Sequence, residues 1–100
     1  MKITEIKSEK EICLQIEGRI DTNTSPDLQE AVLKAFQKRL HIVMDFKGVD
    51  YISSAGLRVI LIGQKTADSK GGTIKYRHIC ENVRYILDMS GFSSIITIEK

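Results

Sequence analysis

The sequence lacks a large excess of charge of either sign. Fifteen basic and thirteen acidic residues leave a formal net charge of +2, which is not the bias typical of proteins that bind nucleic acid or an anionic membrane surface. No apolar run approaches the ~20 residues that a membrane helix needs, and a strand-like pattern follows Met1 and Lys2 directly, leaving no room for a signal peptide. We therefore expect a cytoplasmic protein without direct nucleic-acid or membrane contacts.

Cysteine is scarce. Cys13 and Cys80 are the two cysteines, and they lie far apart in apolar patterns, without a Cys-x-x-Cys pair or metal-ligand spacing. The two histidines, His41 and His78, stand in strand-like segments with no other ligand nearby. We expect two buried, reduced thiols, no metal and no cofactor.

Common enzyme motifs are also absent. No Gly-x-Ser-x-Gly elbow surrounds Ser54, where the sequence reads Tyr-Ile-Ser-Ser-Ala, and neither a dinucleotide fingerprint nor a phosphate-binding loop is present. Tyr51 is interpreted as a packing residue with a solvated hydroxyl. These absences predict that the chain is not an enzyme. A small hydrolase or a nucleotide-binding enzyme is the alternative, and turnover of an ester that is lost in Ser54→Ala would support it.

The apolar pattern predicts one α/β domain over residues 1–100. At 42% apolar content, this length suffices for a single core. The order is β-β-α-β-α-β-α-β, with a mixed sheet that is parallel after an opening hairpin. The predicted elements are strands at 3–6 and 12–17, a helix capped by Ser25 with Pro26 at its first position, a strand at 41–46, a helix from the serine turn to 69–72, a strand at 73–79, a helix capped by Asn82 and ended by Gly91, and a strand at 94–99.

Helical periodicity predicts which side chains face the core. The strand at 41–46 is nearly all apolar, which indicates burial on both faces. The predicted inward positions are Leu28, Ala31, Val32, Ala35 and Phe36 in the first helix, Leu57, Ile60 and Leu61 with Val59 and Ile62 beside them in the second, and Val83, Ile86 and Leu87 in the third.

The turn between the buried strand and the second helix contains Ser53, Ser54, Ala55 and Gly56. Serine is a favoured helix N-cap, and one serine suffices for this role. A helix N-terminus also tolerates an anion such as phosphate. A serine here is therefore either a plain cap or a residue that accepts a phosphoryl group without loss of the helix.

Three stretches carry a family resemblance: Asp50–Val59 with the serine turn, Gly18–Thr24, and Val83–Phe92. In their order along the chain they resemble the STAS domains, specifically the bacterial anti-sigma factor antagonists, over essentially the whole chain. The resemblance implies a protein that binds an anti-sigma factor with serine kinase activity and thereby frees a sigma factor. Phosphorylation by that kinase, which supplies the ATP site, ends the binding, and a serine phosphatase restores it.

The Gly56-Leu57 pair places the family's phosphoacceptor at Ser54. Well-known members have an aspartate immediately before the acceptor, whereas this chain has Ser53, which makes Ser53 a rival acceptor. The residues expected to contact the partner are Asp21, Thr22, Asn23, Tyr51, Ser53, Ser54, Ala55, Gly56 and Arg58. A plainer interpretation is that Asp21 and Thr22 satisfy loop amides and that Arg58 is a solvated helix residue.

The resemblance leaves a second role open. STAS domains also serve as scaffold pieces of sensory assemblies and as cytoplasmic tails of anion transporters. Because no apolar run is long enough to span a membrane, we expect no attached membrane segment, which disfavours the transporter role. A stable large homo-oligomer would favour the scaffold role over a small antagonist.

Overall fold

The computed structural model describes residues 1–99. Within that range the chain has the predicted order β-β-α-β-α-β-α-β, with one short 3₁₀ turn before the last strand. The elements are β1 (Lys2–Lys7), β2 (Glu11–Glu17), α1 (Ser25–Lys38), β3 (His41–Gly48), α2 (Ser54–Lys70), β4 (Thr73–Arg77), α3 (Glu81–Met89) and β5 (Thr97–Ile98). The predicted α/β class and element order are confirmed.

The strands form one mixed sheet in the order β1-β2-β3-β4-β5. β1 pairs antiparallel with β2, and every later pair is parallel. Ile12, Ile42 and Ile74 lie side by side across the three central strands. Because parallel strands end at the same edge of a sheet, the loops that leave β2, β3 and β4 emerge together.

One face of the sheet carries the hydrophobic core. Side chains at alternate strand positions pack there with buried residues of all three helices. Of the positions predicted for α1, four are buried and Ala31 is half-buried. The sheet residues of this core are Ile12, Leu14, Ile16, Ile42, Met44, Phe46, Ile74 and Tyr76.

β3 is buried on both faces, as predicted. On the second face, Asp45 accepts hydrogen bonds from the Lys47 N–H at 3.0 Å and from Arg77 Nε at 3.4 Å, and contacts His78 Nδ1 at 3.0 Å. Burial alone would raise the pKa of Asp45, but these hydrogen bonds and the neighbouring cationic charge lower it overall. Arg77 also donates to Cys13 Sγ, so a polar network covers this face.

The cysteines are free thiols, and Cys13 is buried as predicted. Burial raises the pKa of the Cys13 thiol. Cys80 is only half-buried, which differs from the prediction, because it stands at the start of α3 with its Sγ toward the Val49 carbonyl oxygen at 3.4 Å.

The buried stripe of α2 consists mostly of small residues. Leu57 and Leu61 are only half-buried, whereas the predicted Ile60 is fully inside. The helix therefore approaches its neighbours closely through residues that a search for large apolar side chains overlooks. Its buried residues are Gly56, Val59, Ile60, Gly63 and Ala67.

The N-terminus of α1 differs from the prediction in detail. Thr24 is the N-cap residue, and its side chain does not cap the helix. Ser25 is already helical and buried, with its hydroxyl donating to the Asp21 carbonyl oxygen. Pro26 is consequently the second helical residue, where its missing N–H still costs no intrahelical hydrogen bond.

The start of α3 also differs from the prediction. Cys80 is its N-cap residue, so Asn82 lies inside the first turn. The Asn82 amide donates instead to the Asp50 carbonyl oxygen at 2.8 Å. The cap predicted for Asn82 is thus replaced by a tertiary contact that ties α3 to the loop after β3.

The last two strands are shorter than predicted. β4 ends at Arg77 because His78 adopts a positive φ of 58°, which turns the chain out of the sheet. A 3₁₀ turn at Phe92–Ser94 occupies the residues where the last strand was predicted to begin, so β5 contains only Thr97–Ile98.

Among residues 1–99, no helix has both the length and the apolar character required to cross a membrane.

Candidate functional site

Ser53 is the residue that caps α2. It has an extended backbone, and its hydroxyl accepts a hydrogen bond from the Gly56 N–H at 3.4 Å. Ser53 is also half-buried, and its N–H donates to the Ile20 carbonyl oxygen at 2.8 Å. The cap function that the sequence assigned to either serine therefore belongs to Ser53.

Ser54 is the first helical residue of α2 and is exposed. Among residues 1–99, its hydroxyl has no hydrogen-bond partner, in contrast to that of Ser53. An exposed, unengaged hydroxyl is accessible to another protein's active site. The structure thus separates the two serines into a capping residue and a free one.

The loop before α1 is organised by Asp21. Its Oδ1 accepts hydrogen bonds from the backbone N–H groups of Asn23 at 3.0 Å and Thr24 at 3.1 Å. Hydrogen bonding by Thr24 is the main reason that the pKa of Asp21 is lowered. Asp21 therefore satisfies loop amides, as the plainer interpretation held, while Thr22 and Asn23 remain exposed.

This loop and the serine turn lie side by side, as predicted from the parallel strands. Ile20 and Ile52 form a parallel bridge. The Ile20 N–H donates to the Tyr51 carbonyl oxygen at 3.0 Å, which complements the bond from Ser53 to Ile20. The two loops consequently form one hydrogen-bonded surface at the carboxyl edge of the sheet.

Arg19 and Tyr51 stack on this surface. The guanidinium carbon lies 4.2 Å from the centre of the Tyr51 ring, a cation–π arrangement. Tyr51 is half-buried, in agreement with its interpretation as a packing residue. Sequence reasoning did not identify Arg19, since no local pattern links residues that are so far apart in the chain.

Gly56 is buried beneath the serine turn. A Cβ atom at this position would stand 2.5 Å from Ile52 Cγ1 and 2.6 Å from Ile20 Cγ2. Glycine therefore lets α2 start directly above the bridge that joins the two loops. Its buried position indicates a packing role for Gly56. The exposed part of the predicted contact surface is formed by the residues around it.

A groove of about 720 Å³ runs between α1 and α2 beside Ser54. Four of the predicted contact residues line it: Thr22, Ser54, Ala55 and Arg58. Asn23 is not among its lining residues. The remaining wall comes mainly from α1, in which the sequence predicted no contact residue: Ser25, Pro26, Gln29, Glu30, Leu33, Lys34 and Gln37, with Val59 from α2.

The histidines lie away from Ser54. His41 contacts the Thr73 hydroxyl at 2.8 Å, and His78 contacts Asp45 at 3.0 Å. Within residues 1–99, Ser54 thus has no histidine in position to act as a general base. This arrangement does not support the hydrolase alternative.

Comparisons with known proteins agree with the geometry. The chain is 33% identical over 89 residues to the anti-sigma F factor antagonist of Paenibacillus polymyxa, covering 87% of this chain and 76% of that protein. A putative anti-sigma factor antagonist from Thermotoga maritima has a similar structure, with a TM-score of 0.90, 18% identity, and coverage of 98% of this chain and 86% of that one. Unphosphorylated SpoIIAA, an anti-sigma factor antagonist, gives a TM-score of 0.82 at 15% identity, covering 99% and 89%.

The family assignment rests on the match along the chain. The model of the STAS domain family matches residues 2–100, which include the serine turn, the Asp21 loop and the groove between α1 and α2. This chain belongs to the STAS domain family.

Proposed function

We propose that this protein is an anti-sigma factor antagonist. With Ser54 unmodified, it binds an anti-sigma factor that is also a serine kinase and thereby frees a sigma factor. Phosphorylation of Ser54 ends this binding, and a separate serine phosphatase restores it. Because the kinase uses ATP, the switch operates in the cytoplasm.

The main support for the proposal is the difference in structural role between Ser53 and Ser54. Ser53 caps α2, so Ser54 is exposed and its hydroxyl is free among the described residues. A phosphoryl group on Ser54 would leave the cap in place and add charge to the groove surface. The curated relative from Paenibacillus polymyxa is itself an anti-sigma factor antagonist, which supports the same role here.

The physical basis of the switch is charge at an interface. A phosphoserine carries a charge of about −1.5 to −2 at neutral pH. A partner that covers Ser54 must remove water from this dianion without supplying a matching cation, which is costly. A thousandfold loss of affinity requires only ~4 kcal/mol, so the fold does not have to change.

The first experiment is intact-mass spectrometry with peptide mapping on the protein from its own cells. Partial addition of one phosphate on Ser54, lost in Ser54→Ala, is the expected result. Phosphate on Ser53 would keep the mechanism and move the acceptor. Absence of phosphate under several growth conditions would contradict the switch and favour a constitutive binding module or scaffold.

A binding measurement tests the other half of the proposal. The anti-sigma factor encoded by the same organism is titrated with unmodified protein and with protein that carries phosphoserine at position 54. We expect at least a hundredfold weaker binding of the phosphorylated form, or about 2.7 kcal/mol. Equal affinities would contradict the proposal.

A further inference from the structure

Among residues 1–99, Arg58 is the charged residue of the groove containing Ser54 that has no charge partner. The charged residues lining this groove are Glu30, Lys34 and Arg58. Glu30 and Lys34 pair with each other at 3.6 Å, one helical turn apart on α1. Arg58 is exposed and makes no ion pair or hydrogen bond with any of residues 1–99. The groove therefore has one positive charge that nothing in it neutralises.

The helix places this charge close to Ser54. Residues four apart on an α-helix lie on the same face, with Cβ atoms roughly 5–6 Å apart. Side chains on a helix also lean toward its N-terminus, so Arg58 extends back over the turn that begins with Ser54. Both residues line the same groove, in agreement with this direction.

A guanidinium group suits a phosphate monoester in geometry as well as charge. Its planar set of N–H donors can bind two phosphate oxygens at once, which an ammonium group does not reproduce. The unmodified Ser54 hydroxyl offers no comparable charge, so Arg58 stays solvated until the phosphate is present.

We propose that Arg58 binds the phosphate of phosphorylated Ser54 in the free protein and holds it against α2. This inference rests on the proposed function, because it concerns the phosphorylated state of the same serine. It assigns to Arg58 a positioning role that the plainer interpretation, a solvated helix residue, does not contain. The chemistry recognised is a phosphate monoester carried by the chain itself.

The test uses the full chain with phosphoserine incorporated at position 54 during translation, so that neither kinase nor partner is needed. The phosphorus NMR signal is followed against pH at low ionic strength. A nearby guanidinium favours the dianion, so Arg58→Gln should raise the midpoint of the second phosphate ionisation by about half a pH unit. Added salt should reduce the difference between the wild-type and Arg58→Gln midpoints, because it screens the attraction between the guanidinium group and the phosphate.

Two further variants make the result specific. Lys65→Gln removes an exposed positive charge from α2 eleven residues after Ser54, about 16 Å along the helix axis, and should leave the midpoint unchanged. Arg58→Lys should restore only part of the wild-type value, because it keeps the charge and loses the planar donors.

Equal midpoints in wild type and Arg58→Gln, or equal shifts in Arg58→Gln and Lys65→Gln, would overturn the inference. Either result would leave the proposed function intact, because phosphorylation of Ser54 can end binding to the anti-sigma factor without any contact from Arg58. Conversely, a positive result for Arg58 together with unchanged partner binding would contradict the proposed function alone.

Discussion

The Ser53 hydroxyl accepts a hydrogen bond from the Gly56 N–H at 3.4 Å and so caps α2. The distance is long for such a bond, which places its contribution in the lower part of the usual range for N-caps. The same contact explains how neighbouring serines differ in function. Ser53 is committed to the helix, and Ser54 is left to solvent.

Stability measurements should separate the two serines. Ser53→Ala is expected to lower the free energy of unfolding by about 0.5–1 kcal/mol, because the first turn loses its cap. Ser54→Ala, at an exposed position without a hydrogen-bond partner among residues 1–99, should change it by less than about 0.5 kcal/mol. Urea denaturation followed by circular dichroism measures both, and the reverse ranking would contradict the assignment of the cap.

Gly56→Ala should destabilise the protein by about 2 kcal/mol, since the new methyl group would overlap Ile52 and Ile20 in a packed region. Gly63→Ala on the same helix is the matched control. There a Cβ atom would meet the end of the Ile74 side chain at 3.1 Å, and the gain in helix propensity offsets the small adjustment. Thermal unfolding of the two variants should therefore differ clearly.

Asp45 should make stability depend on pH in the acid range. Its pKa is lowered below the ordinary value of 3.8 in the folded state, so its stabilising effect is complete above that value and is lost as the pH falls through the folded pKa. Asp45→Asn is expected to cost about 1–2 kcal/mol near pH 7 and to reduce the loss of stability between neutral and strongly acid pH.

The control for this acid effect is Glu9→Gln, which removes an exposed carboxylate from the hairpin turn. Urea denaturation at a series of pH values should give this variant the same acid dependence as wild type. If the stability of Asp45→Asn fell with decreasing pH as much as that of wild type, the network of Asp45 with Arg77 and His78 would not contribute to the acid sensitivity.

Charge placed at the two serines should affect partner binding differently. Ser54→Asp is expected to weaken binding of the anti-sigma factor, although less than phosphoserine does, because a carboxylate carries less charge. Ser53→Asp keeps a favoured N-cap and puts the same charge one residue earlier, so it should bind nearly as wild type. Calorimetric titration of both variants compares them, and stronger loss in Ser53→Asp would move the switch to that residue.

Much of the fold followed from local patterns. The stripe of α1, the buried β3 and the order of the elements were predicted because apolar periodicity depends on residues close together in sequence. Besides the burial of Leu57, Leu61 and Cys80, the errors fell at element ends, where Ser25 and Asn82 were assigned as caps. The Asn82 amide instead donates to Asp50, which lies far away in the sequence, and no local pattern encodes such a contact. The Ser25 hydroxyl donates to the Asp21 carbonyl oxygen four residues earlier, a local bond that competes with capping.

For the candidate site, the sequence by itself determined which segment contains it and which residue types are present. A strand, a serine turn and a helix are local features, and the parallel order brings the Asp21 loop to the same edge of the sheet. Only the tertiary structure decided which serine is free, that Arg19 stacks on Tyr51, and that the polar face of α1 forms a wall of the groove. These features depend on the distances and angles between whole elements, and the packing of their shared core sets those distances and angles.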